Sequence, residues 1–152
     1  MIYRVKDETD ASKCDELLTK LIHDEKQYDD YINEKFIVNN YFVNVINDDK
    51  NILLCYKENE KVIGYIYFKY QIQEDKKGYL IDGLYVESNY RNKGIAKSLI
   101  NEGLKIAKNY NIDFIDINVM SKNKLAIKLY ESFGFEIFSF KMRKKIKVNH
   151  IV

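Results

Sequence analysis

The sequence predicts a mixed α/β domain in which a mostly antiparallel, twisted sheet carries helices on both faces. Apolar residues recur with the period of a strand in some segments and with the period of a helix in others. Three consecutive strand segments are joined by short polar turns, which indicates an antiparallel meander. A strand–helix–strand segment follows, and its crossover predicts one parallel, right-handed pair. Together these layers define the fold class.

The first part of the chain predicts one strand and two helices. Ile2–Lys6 alternates as a short strand does, and Asp7–Asp10 offers residues that start a helix. A second helix is predicted from about Asp29 to Asn44, on a looser apolar pattern. The apolar stripe of the first helix consists of Ala11, Cys14, Leu17, Leu18, Leu21 and Ile22.

The meander occupies the middle of the chain. Its strands are predicted at Ile52–Tyr56, Lys61–Tyr70 and Tyr79–Val86, separated by the polar turns Lys57–Glu60 and Gln73–Gly78. Because hairpin connections this short join antiparallel neighbours, the three strands are expected side by side.

The last part of the chain predicts the crossover and its continuation. The clearest helix of the sequence is Lys93–Tyr110, and the strand Ile112–Val119 follows it. A further helix is predicted at Lys122–Phe133, with Gly134 suited to its left-handed end. A final strand is expected at Phe135–Ile146.

Composition limits the possible functions. The 152 residues are 46% hydrophobic and 32% charged, so residues 1–152 are expected to form one domain with a buried core. The net charge of +2 gives no bulk electrostatic argument for nucleic acid, and the basic run 141–147 is more simply a strand edge protected by lysines. The chain shows no apolar leader and no membrane-spanning run, so we expect a cytoplasmic protein without a membrane partner. The sequence leaves a homodimer open.

Residues 91–97 form the loop after the strand 79–86 and the start of the following helix. They have the chemistry of a phosphate site. Gly94 permits a backbone conformation that other residues resist, and Gly94 and Ala96 leave little side chain in front of the N–H groups that begin the helix. Arg91, Lys93 and Lys97 add positive charge. A diphosphate is the natural ligand, and an ordinary strand–helix turn with a capping glycine is the alternative.

The same residues carry a resemblance to the GNAT superfamily of N-acetyltransferases. That family has Arg/Gln-x-x-Gly-x-Gly/Ala after a strand ending in Leu-x-Val, and this chain has Leu84-Tyr85-Val86 and then Arg91-Asn92-Lys93-Gly94-Ile95-Ala96. The element order also fits from end to end. A second motif matches about 30 residues later, at Asn123, Ala126, Leu129, Tyr130, Glu131 and Phe133-Gly134-Phe135.

The resemblance implies acetyl-CoA as the acyl donor, with no metal. Asn123 would bond the pantetheine or a linking water, and the cofactor would fit where two strands of the sheet splay. The departures from the family pattern are mild: Ala96, Asn92 and Ser88 stand where glycine, glycine and proline are common. The pantetheine would pair with the backbone of Leu84, Tyr85 and Val86, and the diphosphate would lie on Asn92, Lys93, Gly94, Ile95, Ala96 and Lys97.

The resemblance also implies acetyl transfer to an amine by direct attack in a ternary complex. Asp82, on the central strand, is the leading candidate for the base, with a purely structural carboxylate as the alternative and Glu87 as a weaker candidate. Tyr130 would meet the departing thiolate, and the backbone N–H of Val86 would polarise the thioester carbonyl. Neither cysteine lies in a motif position, so an acyl-cysteine step is not expected; both are expected as buried thiols.

The acceptor is less defined than the donor. Acidic residues in 23–44 and at Glu74 and Asp75 favour a cationic acceptor such as a polyamine, an aminoglycoside or a lysine-like amine, on a small molecule or a peptide. His23 and His150 are expected to be a solvated helix end and an inert tail residue. The alternative function is a non-catalytic acyl-CoA-binding or regulatory module, which would keep the loop and lack an acceptor cleft.

Overall fold

The computed structural model describes residues 1–147 and divides the chain into two compact units, residues 1–120 and a second that begins at Ser121. The first unit holds five strands and three α-helices, and the second holds one further helix. The elements are β1 (Ile2–Arg4), α1 (Glu8–Glu25), α2 (Phe42–Val45), β2 (Ile52–Glu58), β3 (Lys61–Gln73), β4 (Lys76–Val86), α3 (Ile95–Lys108), β5 (Phe114–Ile117) and α4 (Lys124–Glu131).

The sheet confirms the predicted topology. Its strands lie in the order β1-β2-β3-β4-β5, with the first three pairings antiparallel and the β4–β5 pairing parallel. The parallel pair is joined through α3, as the crossover pattern predicts. The β3–β4 hairpin is tighter than expected, because both strands continue to a two-residue turn at Glu74 and Asp75.

Helices cover both faces of the sheet, as predicted. On one face, Tyr65 and Tyr67 of β3 pack with Cys14 and Leu17 of α1 and with Phe42 of α2 in one buried cluster. On the other face Phe68 of β3 lies against α3, so closely that a Cβ at Gly103 would come within 2.2 Å of its ring. Successive strand residues point to opposite faces, and β3 therefore supplies aromatic side chains to both layers.

The second helix, expected at Asp29–Asn44, is wrong: only Phe42–Val45 is helical. Local hydrogen bonds from side chains compete with the helix here. The Asn33 side chain accepts from the Lys35 N–H at 2.9 Å, and Asn40 adopts a left-handed φ of 57°. The segment is instead fastened to α1 through its side chains.

Two bonds show how α1 holds this segment. The hydroxyl of Thr19 accepts from the N–H of Val38 at 3.0 Å, and the buried carboxylate of Asp15 accepts from the N–H of Phe42 at 3.0 Å. Asp15 thereby satisfies one of the donors at the start of α2, which a Tyr at the N-cap position cannot do. Residues near 41 are thus held over the sheet by α1.

The final strand, expected at Phe135–Ile146, is also wrong. Residues 135–147 form no strand, and the alternating apolar side chains of Phe138, Phe140 and Met142 are exposed. Alternation indicates that a segment fits a pleated surface, but a strand forms only where a neighbouring strand completes its hydrogen bonds. In the second unit, residues 121–147 hold no other strand that could pair with this segment.

Candidate functional site

The first unit carries a β-bulge at Asp82 of β4. Tyr67 of β3 pairs with Gly83, and the next residue, Phe68, pairs with Ile81, so Asp82 is the extra residue of β4. A bulge bends its strand and re-aims a side chain, and bulges occur often beside active sites. The Asp82 side chain is exposed between two buried neighbours.

The parallel ladder between β4 and β5 stops just before this bulge. It runs from the pair Gly78–Phe114 to the pair Ile81–Ile117, where β5 ends, while β4 continues to Val86. Among the described residues no strand pairs with this side of β4 beyond Ile81. The backbone of residues 82–86, which includes the predicted Leu84 and Tyr85, therefore borders a notch in the sheet that an extended ligand could fill.

The loop after β4 leaves the start of α3 open. Gly94 is the N-cap residue and has the left-handed φ of 80°, and Asn92 before it has a φ of 63°. No side chain caps this helix, and apart from Gly94 itself and its two chain neighbours no atom of residues 1–147 lies within 4 Å of the position a Gly94 Cβ would take. The first N–H groups of α3 thus face open space at the positive end of the helix dipole, which fits a diphosphate.

Arg91 fastens this loop to the end of β4. Its Nε donates to the carbonyl of Val86 at 2.8 Å, and its guanidinium lies 5.1 Å from the centre of the Tyr85 ring. It also forms an ion pair of 3.5 Å with Asp24 of α1. Arg91 therefore shapes the loop, and Lys93 and Lys97 are the remaining exposed cations of the predicted set.

Electrostatics set Asp82 apart from an ordinary surface carboxylate. Although its side chain reaches water, desolvation by the surrounding protein raises its pKa, and Lys69 opposes that rise. The pKa of Glu25, the last residue of α1, is also raised, first by desolvation and then by the charges of Asp82 and Asp29. The two carboxylates are close enough for the charge of one to disfavour ionisation of the other.

Aromatic hydroxyls surround this carboxylate pair. The pKa of Tyr41, Tyr67 and Tyr65 is raised in each case, by desolvation first and in part by the charge of Asp82. The rings of Tyr41 and Tyr67 meet edge-on with centres 6.3 Å apart. Sequence reasoning missed these tyrosines as site residues. The period-two pattern of β3 places residues 65 and 67 on one face, but nothing local brings them to Asp82.

The second unit carries the two remaining predicted residues. Tyr130 of α4 is 6% exposed, burial raises its pKa, and its ring meets that of Phe135 edge-on with centres 5.6 Å apart. Asn123 is the N-cap of α4, where its Oδ1 accepts from the N–H of Ala126 at 3.2 Å. Asn123 thus has a structural function that the sequence pattern alone does not reveal.

The other reactive side chains are engaged in structure. His23 Nε2 lies 2.7 Å from the carbonyl oxygen of Phe36 and so helps to hold the segment after α1. Cys14 and Cys55 are buried free thiols, and burial raises the pKa of Cys55 to about 11, which makes it a poor nucleophile at neutral pH. His150 lies outside the described residues.

In residues 1–147 no group of three or more His, Cys, Asp or Glu side chains is placed to hold a metal ion. Over the same residues, no helix combines the length and apolar character needed to cross a membrane.

Comparison with known proteins identifies a family whose model matches this chain and solved structures that share its fold. The model of the acetyltransferase (GNAT) family matches residues 14–135. One curated relative, the L-amino acid N-acetyltransferase AaaT of Escherichia coli (strain K12), is 33% identical over 78 residues, which cover 50% of this chain and 48% of that protein. The match therefore spans about half the length of that relative.

Two solved structures share the fold. The tetramutant of the BH1408 protein from Bacillus halodurans superposes with a TM-score of 0.81 at 20% identity, covering 96% of this chain and 99% of that one. The aminoglycoside N-acetyltransferase AAC(6')-Iy in complex with CoA superposes with a TM-score of 0.73 at 14% identity, covering 97% of this chain and 100% of that one. These similarities confirm the mixed α/β fold expected from the sequence.

Proposed function

The chain belongs to the acetyltransferase (GNAT) family, and on that basis we propose that it transfers the acetyl group of acetyl-CoA to a primary amine by direct attack in a ternary complex. The observation that carries the proposal is the notch beside residues 82–86, where β4 runs beyond the end of β5 with Asp82 bulged out of the ladder. The notch offers backbone for an acyl-CoA arm and a carboxylate for the acceptor.

The donor is proposed to bind mainly through backbone. The diphosphate would lie on the N–H groups of Ile95, Ala96 and Lys97, at the uncapped start of α3. The pantetheine would follow the free side of β4 along residues 84–86. The loop held by Arg91 supports this arrangement, because its bond to the Val86 carbonyl fixes the end of β4 relative to the start of α3.

The acceptor nitrogen must be neutral to attack. An alkyl amine with a pKa near ~10.4 is only about 0.04% neutral at pH 7, a cost of roughly 4.6 kcal/mol. Asp82, directly or through water, is proposed to take the proton. Its raised pKa supports this role, because the ideal pKa of a general base lies closer to the working pH than that of a free carboxylate.

The remaining roles concern charge that develops at the thioester. Its carbon–sulfur bond breaks as the new amide bond forms, so negative charge passes to the carbonyl oxygen and the sulfur. The Val86 N–H is proposed to stabilise the oxygen and Tyr130 the sulfur. Burial keeps the Tyr130 hydroxyl protonated, so it remains a hydrogen-bond donor. Asn123 is proposed to support the pantetheine.

A cationic acceptor fits the charges near Asp82. Asp24 and Glu34 already have cationic partners in Arg91 and Lys26, whereas the charge of Asp82 helps to raise the pKa of Glu25. A bound ammonium group would offset the repulsion between these carboxylates and favour their ionised forms. We therefore propose a polyamine, an aminoglycoside or a lysine-like amine as acceptor. The cytoplasm is the proposed location.

Release of free CoA tests the proposal. The protein is incubated with acetyl-CoA and a panel of amines. The panel pairs each cationic acceptor with an amine of similar size that carries no positive charge besides the reacting amine. The proposal expects turnover that favours the cationic members. Turnover restricted to amines without a further positive charge would contradict the proposal of a cationic acceptor. Stabilisation by acetyl-CoA without turnover of any amine would contradict catalysis and favour the acyl-CoA-binding module.

A further inference from the structure

The Tyr65 hydroxyl is buried without a hydrogen-bond partner. Its side chain has no exposed surface, and its oxygen is the single buried side-chain polar atom in residues 1–147 with no partner. A buried hydroxyl that loses its bonds to water and gains none in return destabilises the fold. A phenylalanine would fill the same space without that cost, so the oxygen calls for a function.

Gly83 provides the space into which this hydroxyl points. A Cβ at Gly83 would lie 2.4 Å from the Tyr65 oxygen, far closer than two such atoms can approach. Gly83 directly follows the bulged Asp82 on β4, and it pairs with Tyr67, two residues beyond Tyr65 on β3. The hydroxyl therefore lies against the backbone of the bulge.

Charged and titratable groups face the hydroxyl from each neighbouring element. Cys14 and Glu25 lie on α1, Tyr41 just before α2, and Asp82 on β4. Of these, Asp82 is the one that directly precedes Gly83 in the chain. In addition to Tyr65 and Glu25, the groups that face Asp82 are Tyr41, together with Tyr67 and Lys69 of β3.

We propose that Tyr65 is a positioning residue for the base, whose hydroxyl donates a hydrogen bond to the Asp82 carboxylate when that side chain turns towards Gly83. This inference rests on the proposed function, because it assigns to Asp82 the acceptor's proton. The bond forms with the ionised carboxylate and is lost on its protonation, so it holds the base in its proton-accepting state. The bulge lets Asp82 turn between this position and the notch.

A pair of tyrosine variants separates positioning from packing. Tyr65→Phe removes the unpartnered oxygen, whereas Tyr79→Phe, on the same strand as Asp82, removes a hydroxyl that donates to the Lys50 carbonyl at 2.7 Å. Both parent side chains are fully buried. We expect Tyr65→Phe to keep or raise the urea midpoint while kcat/KM falls at least about tenfold. Tyr79→Phe should lower the midpoint and leave kcat/KM of the folded enzyme unchanged.

A carbon-13 titration of the aspartate and glutamate side-chain carboxyls tests the contact without turnover. With the Asp82 signal assigned through Asp82→Asn, the apparent pKa of Asp82 should rise by roughly 0.5–1 unit in Tyr65→Phe, because a donor to the ionised form is lost. Tyr79→Phe should leave it unchanged. An Asp82 titration that Tyr65→Phe does not move, or a shift at Glu25 in its place, overturns the proposal.

The two measurements also separate this proposal from the proposed function. If the wild-type protein acetylates no amine, the proposed function fails, while the carboxyl titration still decides the Tyr65–Asp82 contact. If the enzyme is active and Tyr65→Phe keeps its full kcat/KM, acetyl transfer stands and the positioning role fails.

Discussion

The donor side of the proposed site consists mainly of backbone groups, whereas the acceptor side consists mainly of side chains. The donor side is backbone: the open start of α3 and the unpaired side of β4, shaped by Gly94 and by the bond from Arg91 to Val86. The acceptor side is side chain: Asp82, Glu25 and the surrounding tyrosines. Backbone sites tolerate most side-chain changes and bind a constant ligand, whereas side-chain sites change with every substitution. The difference explains how one donor can be combined with many acceptors on the same fold.

Removal of the base tests most strongly whether the donor side and the acceptor side act separately. Asp82→Asn keeps the size of the side chain but cannot take a proton at neutral pH, so kcat/KM for the amine should fall by about 10²–10⁴. The dissociation constant of acetyl-CoA, measured by calorimetry, should stay unchanged because the donor site uses backbone. Asp49→Asn, at an exposed position in the turn before β2, serves as the matched control. A lost affinity for acetyl-CoA in Asp82→Asn would show that the two sides are not separate.

The reverse experiment damages the donor side alone. Ala96→Asp places a carboxylate in the first turn of α3, where the helix dipole favours it by about 0.3–1 kcal/mol, so the fold should not lose stability. The same charge repels a diphosphate, and the affinity for acetyl-CoA should fall at least about tenfold. Ala96→Asn, neutral and of similar size, should lose much less. Equal losses in both variants would indicate steric obstruction and remove the electrostatic argument.

The space shared by Gly83 and Tyr65 can be tested by stability. A Cβ at residue 83 would collide with the Tyr65 oxygen, so Gly83→Ala should lower the free energy of unfolding by about 1–3 kcal/mol. Adding Tyr65→Phe removes that oxygen and should recover part of the loss in a double-mutant cycle. Additive effects in the urea midpoints would mean that the two groups do not compete for the same space.

The smallest expected effect is a gain in stability. The folded state raises the pKa of Glu25, so it binds more protons than the unfolded chain between the ordinary and the raised pKa. The stability of the wild type therefore falls as pH rises through that window. Glu25→Gln should unfold at a temperature higher by on the order of 1 °C at pH 7 and match the wild type at low pH. A stability difference that persists at acid pH would exclude this electrostatic cause.

The two sides also differ in how far the sequence predicts them. The donor elements are contiguous, since residues 79–110 hold the strand, the loop and the helix, and Gly94 adopts a left-handed φ, a backbone conformation that other residues resist. The acceptor side joins α1, the segment before α2, β3 and β4, so its assembly depends on packing between distant residues. Asp82 was found through the family resemblance, while its bulge and its partner Tyr65 have no local signal. The same limit explains why the helix predicted at 29–44 does not form. Side chains of α1 bind the backbone of this segment, and no local sequence pattern indicates those contacts.

A crystal structure with bound acetyl-CoA tests the central claim most directly. We expect the diphosphate on the N–H groups of Ile95, Ala96 and Lys97, the pantetheine along residues 84–86 of β4, and the thioester within reach of an amine held at Asp82. A diphosphate bound away from the start of α3, or a pantetheine that does not follow β4, would contradict it.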